Sequence, residues 1–135
     1  SRIEVLQRRD AYEHDPDAFH ATWAKEEHRL AARIVAGRKT VHQVVLSERL
    51  MTMMAHLCMQ LGVDGLRGEL TLMRAARAKA ALSKRMEVTV EDVLAVAPMA
   101  LRHRLRRDPL DEAGSAPRIE RAVAAVGAVA EVGHV

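Results

Sequence analysis

Aromatic residues are almost missing from this chain: Tyr12, Phe19 and Trp23 are the only three among 135 residues. Long Val/Ile runs are missing too, so no sheet interior is on offer. The core has to be packed through Leu, Met and abundant Ala, which favour helices. Cysteine occurs once, as Cys58, which excludes an internal disulfide and fits a reducing, cytoplasmic setting. No run of about 18 apolar residues is present, so no membrane span is expected. An initiator methionine is also missing, and Ser1-Arg2-Ile3-Glu4-Val5 is charged and helical rather than signal-like, which points to a fragment or processed chain. Neither sign of charge dominates. The net charge is +3 with 29% charged residues, a mildly basic balance far from that of a nucleic-acid-binding tail. The length suits one domain with a real core, and the expected class is all-α, a small helical bundle.

The spacing predicts a short charged helix over residues 2–14, with Ile3, Leu6 and Tyr12 as inward contacts. Asp15-Pro16 stops it and starts another, with the aspartate as cap and proline at the first helical position. This second helix runs to about Arg38, and Phe19, Trp23, Leu30 and Ile34 form its stripe, Trp23 being a packing anchor. Glu26 can pair with Arg29 or Arg33 for about 0.3 kcal/mol. Gly37 to Leu46 reads as an extended linker. Ser47 caps a third helix whose inner face is Leu50, Met54, Leu57, Cys58 and Leu61, with Met51, Met53, Met54 and Met59 as adaptable core fillers. Thr89 and Asp92 form a capping box for a fifth helix, with Val90, Val93, Leu94, Ala97, Leu101 and Leu105 inward, kinked at Pro98 and closing at Asp108-Pro109. A weak last helix begins near Arg118. The chain is read as one domain in three stretches: a helical arm and linker (1–46), a core (47–110) and a tail (111–135).

Between the third and fifth helices lies the stretch that organises the rest. Gly62-Val63-Asp64-Gly65 interrupts one helical pattern, and Leu66-Arg67-Gly68-Glu69-Leu70 opens the next, which continues to about Leu82. Asp64 is the expected cap, and Gly65 permits an unusual turn geometry. Leu66, Leu70, Met73 and Ala80 form the expected main stripe, with Leu72, Ala75 and Ala76 filling other sides of a central helix. Arg67 stands at its mouth, and Arg74 lies on nearly the same side. A guanidinium beside a buried face needs a partner. That partner is either a local carboxylate, Glu69 or Asp64, or an anion such as phosphate brought from outside, which suits an arginine near a helix N-terminus.

Other chemistry is scarce. The seven histidines are scattered without ligand spacing, so no metal site is expected. No glycine-rich loop ends in Gly-Lys-Ser/Thr, and no acid–base pair stands out, so the chain alone should be catalytically inert. Cys58 lacks a histidine partner and is not read as a nucleophile. The basic run Arg102 to Arg107 has three readings: a solvated helix end, a protein interface through Arg104 or Arg107, or a nucleic-acid contact, the last disfavoured by interspersed acids and the lack of aromatics.

Gly62-Val63-Asp64-Gly65-Leu66-Arg67-Gly68-Glu69-Leu70-Thr71-Leu72, continued by Arg74-Ala75-Ala76-Arg77-Ala78, closely resembles the C-terminal helical lid of the magnesium-chelatase AAA+ ATPase family, in its I-type ATPase subunit. So do Ala100-Leu101-Arg102-His103-Arg104-Leu105-Arg106-Arg107-Asp108-Pro109-Leu110-Asp111-Glu112 and Gln7-Arg8-Arg9-Asp10-Ala11-Tyr12-Glu13-His14-Asp15-Pro16-Asp17-Ala18-Phe19. The likeness runs in order over nearly the whole chain. It implies a lid that follows a nucleotide-binding core and closes over ATP and Mg²⁺, both held mainly by that core, in a homo-oligomeric ring, usually a hexamer. It implies that Arg67 is the sensor 2 arginine reaching the terminal phosphates, with Asp64, Gly65 and Leu66 lining the nucleotide edge. Arg74, Arg77, Arg104 and Arg107 would then meet acids of the core or of a neighbour. The D and H components of the chelatase would be the partners in ATP-driven insertion of Mg²⁺ into protoporphyrin IX, an enzyme forming a nitrogen–metal bond, with no nucleic acid and no membrane span. The phosphate-binding lysine, the acid of the core and the arginine finger are not in this chain. The D component and cobalt-chelatase relatives carry a similar lid, and the competing classes are a basic nucleic-acid-binding domain and a helical adaptor.

Overall fold

The computed structural model describes residues 1–63, 65–105 and 115–132, and its backbone falls into two compact units, Ser1–Ala36 and Gly37–Val135. Among the described residues there are six α-helices and no named strand: α1 (Arg2–His14), α2 (Pro16–Thr40), α3 (Glu48–Gln60), α4 (Leu66–Leu82), α5 (Val90–Leu101) and α6 (Ser115–Val132).

In the first unit, α1 begins with a reciprocal cap between Ser1 and Glu4 and ends at Asp15. The Asp15 carboxylate then accepts from the Ala18 N–H at 3.1 Å and starts α2. The corner is filled by an aromatic cluster. Tyr12 meets Phe19 edge-on at 5.7 Å, Phe19 lies 6.2 Å from Trp23, and the Arg8 guanidinium sits 4.6 Å over the Trp23 ring. Trp23 is therefore an anchor, as its place on the stripe suggests. Glu26 pairs with Arg29 at 3.3 Å. The inward contacts expected of α1 are corrected: α1 has no buried residue, and Ile3, Leu6 and Tyr12 are exposed, as are Leu30 and Ile34 on α2.

The second unit holds the core. The expected linker from Gly37 is largely helical: α2 runs on to Thr40, a 3-10 turn takes Val41–Gln43, and only the next residues are extended. Val44 and Leu46 are buried there, while Val45 donates to Met86 C=O and accepts from Val88 N–H, a short parallel bridge. Ser47 accepts from the Leu50 N–H and starts α3, which buries Leu50, Met54, Leu57 and Cys58 along the expected face. Of its four methionines only Met54 is core, whereas Met59 is 74% exposed.

Helix α4 packs most extensively on α5 and also against α3, while α6 lies on α5 and α3. The face of α4 that meets these neighbours is Gly68, Leu72, Ala76 and Ala80, one residue every four. Of the expected stripe, Ala80 is buried and Met73 is half-buried against the core, whereas Leu66 and Leu70 are outside, 75% and 45% exposed. Three of the four residues on the inner face are small, and short side chains let the backbones of α4 and α5 approach. Helix α5 stops at Leu101, short of the expected end; Arg102 N–H donates to Pro98 C=O and a turn follows. Asp108 and Pro109 lie outside the described residues. The last helix is 18 residues long and buries Ile119, more than a weak helix would.

The capping box at the start of α5 forms as predicted: Thr89 accepts from Asp92 N–H, and Asp92 accepts from Thr89 N–H at 3.0 Å. Asp92 is 2% exposed and is also gripped by both arms of the Arg85 guanidinium. Burial alone pushes the Asp92 carboxyl up, but the Arg85 fork, the Thr89 bonds and the Arg85 charge together hold it below the usual carboxylate range. A carboxyl depressed on folding stabilises the fold in full above its unfolded pKa, and that contribution fades as pH falls through the folded value. Asp92→Ala should therefore lower unfolding free energy by about 2–3 kcal/mol at neutral pH. Denaturant titration should show that gap closing once the pH drops below the ordinary carboxylate range.

Candidate functional site

The loop that launches α4 is locked from three sides. Gly62 and Gly65 both sit at positive φ, +64° and +67°, where an L side chain is strained. Between them, Val63 N–H donates to Cys58 C=O at 3.0 Å, and Val63 pairs with Leu105 in an isolated antiparallel bridge. The Val63 side chain lies directly on Gly68. A Cβ built at Gly68 would stand 2.2 Å from Val63 Cγ1, far inside contact distance. The glycine one turn into the helix is thus the socket for the loop in front of it.

That clamp fixes where α4 begins and hence where Arg67 points from. Gly65, rather than the expected Asp64, holds the N-cap position, and it contributes no side-chain acceptor to the first-turn N–H groups. Asp64 itself lies outside the described residues. Leu66 is the first residue of the helix and Arg67 the second, both exposed. Arg67 makes no ion pair among the described residues; of its backbone, the C=O accepts from the Thr71 hydroxyl at 2.8 Å. Glu69, one of its two candidate partners, makes no ion pair with it. Its Oε2 is shielded from water with no hydrogen bond, and its charge, after burial, helps push the Cys58 thiol up to about 11. A thiol so placed stays protonated at neutral pH and is no nucleophile.

The other arginines fall into place unevenly. Arg74 is exposed on the Arg67 side of α4, and Arg77, half-buried, keeps an Nε–H that is shielded and has no acceptor. Arg104 is exposed in the turn after α5, where it and His103 border a shallow depression with Thr71, Ala75, Met99 and Ala100. Arg107 is outside the described residues. One residue that sequence reasoning passed over is Arg118, whose guanidinium donates to Leu61 C=O at 3.3 Å, at the C-terminal end of α3 where a cation is favoured. The two are 57 residues apart, and no local pattern signals the contact. Among the described residues no group of three or more His, Cys, Asp or Glu could hold a metal ion.

Residues 51–123 match the AAA lid domain family model, which spans α3 to the middle of α6. The chain belongs to the AAA lid domain family. It is 53% identical over 125 residues to the magnesium-chelatase 38 kDa subunit of Acidiphilium rubrum, covering 93% of this chain and 36% of that protein. It is 52% identical over 126 residues to the subunit of the same name from Cereibacter sphaeroides, covering 93% of the chain and 38% of the relative. The magnesium-chelatase subunit ChlI of Euglena gracilis is 34% identical over 119 residues, 88% of the chain and 34% of that protein. The chain thus spans little more than a third of the length of these relatives.

Two outcomes check the site as described. Gly68→Ala should force Val63 off α4 and lower stability by about 1–3 kcal/mol, read as a lower denaturation midpoint. Cys58 in the folded protein should resist alkylation at about pH 8 and react only on unfolding.

Proposed function

We propose that the chain is the lid of the ATPase motor subunit of a magnesium chelatase, with Arg67 as the residue that reaches the terminal phosphates of ATP. The observation that carries this reading is a guanidinium without a carboxylate partner among the described residues, held on a clamped helix start whose cap residue is a glycine. Such a place favours an anion: Arg67 stands in the first turn, beside the free N–H groups and the positive end of the helix. Asp64, Gly65 and Leu66 would border the nucleotide. The described residues offer no carboxylate cluster for the Mg²⁺ that accompanies ATP, so that ion would be held by a nucleotide-binding core outside this chain.

The chemistry left to this chain is positional and electrostatic. Arg67 would place a fixed positive charge where negative charge gathers on the outer phosphates, and the rigid connection through Val63 and Gly68 would carry any change at the phosphates into movement of α4. Arg74, Arg77, Arg104 and Arg107 would meet acids of the core or a neighbouring subunit. On this reading the assembled enzyme is a cytoplasmic ring, a hexamer, that works with the D and H components of the chelatase to insert Mg²⁺ into protoporphyrin IX in (bacterio)chlorophyll formation. The isolated lid would be inactive. The names of the relatives, the AAA lid match and the retained Arg67 motif support this reading.

The test is Arg67→Ala in the full-length protein. ATP turnover should fall by about a hundredfold, with the helical content and unfolding midpoint of the parent. Arg67→Lys should recover only part of it, because a point charge cannot reproduce the fork. Unchanged turnover in Arg67→Ala would remove the phosphate role.

A further inference from the structure

Helices α3 and α6 run antiparallel, and a groove lies between them. One end of the pair is pinned where the Arg118 guanidinium, in the first turns of α6, donates to Leu61 C=O at 3.3 Å. Further along, α6 leans onto α5: Gly127 passes so close to Leu94 that a Cβ there would stand 3.3 Å from its Cδ1. The space left beside α3 has a volume of about 360 Å³, within the range that takes a small molecule. Buried Leu50 and, at the start of α5, Val90 line it from the core side. The α6 wall is apolar, Ala125, Val126 and Val129, and Val129 is 74% exposed. The α3 wall is one face of that helix, Arg49, Met53, His56 and Gln60, which recur at helical spacing. Arg49, His56 and Gln60 make no hydrogen bond or ion pair among the described residues. One wall is therefore greasy, and the other is cationic and has donors to spare.

We infer that this groove binds a small amphipathic anion, an apolar chain or ring system carrying one carboxylate. The carboxylate meets Arg49, whose fork matches two oxygens, and His56 and Gln60 supply further donors. The apolar body covers Val126 and Val129, with Met53 adapting its shape to it. Neither wall suffices alone. An uncharged apolar ligand would cover Arg49 without pairing it, and a bare inorganic anion would leave the valines in water. A docked partner helix is disfavoured because the apolar α6 wall spans one turn, whereas helix-in-groove recognition uses anchors spread over two or more. A single arginine and no aromatic among the lining residues disfavour nucleic acid. The inference does not rest on the phosphate role of Arg67, since no described residue of α4 lines the groove.

Isothermal titration of the full-length protein with octanoate, and with octanol as its uncharged counterpart, tests this. Octanoate should bind once per chain with a Kd of about 1 mM or below, and octanol about tenfold more weakly. Arg49→Gln should weaken octanoate by about tenfold and leave octanol unchanged, which separates the charge from the apolar wall. Val129→Asp, on the opposite wall, should weaken both. Arg49 and Val129 are exposed, so circular dichroism and the unfolding midpoint of both variants should match the parent. Arg67→Ala should bind octanoate like the parent, so that failure of the phosphate role and failure of the groove are separate results. No binding of octanoate up to about 5 mM, octanol binding as tightly as octanoate, or affinity indifferent to Arg49→Gln or Val129→Asp would each overturn the inference.

Discussion

The rest of the site depends on one contact, the Val63 side chain lying on the bare backbone of Gly68. It ties the residue before the helix to the residue one turn inside it, and two glycines in left-handed conformations make the loop short enough to do so. The same Val63 is bonded to the end of α3 through Cys58 and to the segment after α5 through Leu105. Three elements of the bundle therefore converge on the start of α4. Arg67 inherits their rigidity without sharing in their packing, and its charge is left for something outside the core.

Charge in the second unit is organised around the same division. Where a guanidinium is needed for the fold it is fully engaged, as with Arg85 on buried Asp92 or Arg118 on the end of α3. Arg67, Arg74 and Arg104 are exposed, and Arg77 is half-buried without an acceptor for its Nε–H. Among the described residues, arginines such as Arg85 are engaged by the fold while Arg67, Arg74 and Arg104 make no ion pair, so stabilising cations and exposed ones are separate sets. That separation supports the phosphate role of Arg67.

Much of this was legible in the residues. The helical class, the Asp15-Pro16 restart, the Ser47 cap, the inner face of α3 and the Thr89–Asp92 box follow from local rules, because caps and turns act over a few residues. The side of α4 that faces inward did not follow. Leucine carries more apparent hydrophobic weight than glycine or alanine, so the pattern favours Leu66 and Leu70, yet close approach of α5 rewards small side chains and puts the leucines outside. The inward contacts expected of α1 failed for a related reason: apolar spacing marks one side of a helix without saying what it meets. The break at Gly62 to Gly65 and the restart of the helix were readable, but the clamp was not, since the clash of a Cβ at Gly68 with Val63 exists only once the loop has folded back.

The central claim is that this clamp presents Arg67 for phosphate. The most direct measurement is a structure of the full-length protein with a non-hydrolysable ATP analogue. The account predicts an Arg67 guanidinium nitrogen within about 3 Å of a β- or γ-phosphate oxygen, with Val63 still seated on Gly68. An Arg67 paired with a protein carboxylate while the phosphates are bound elsewhere would contradict it.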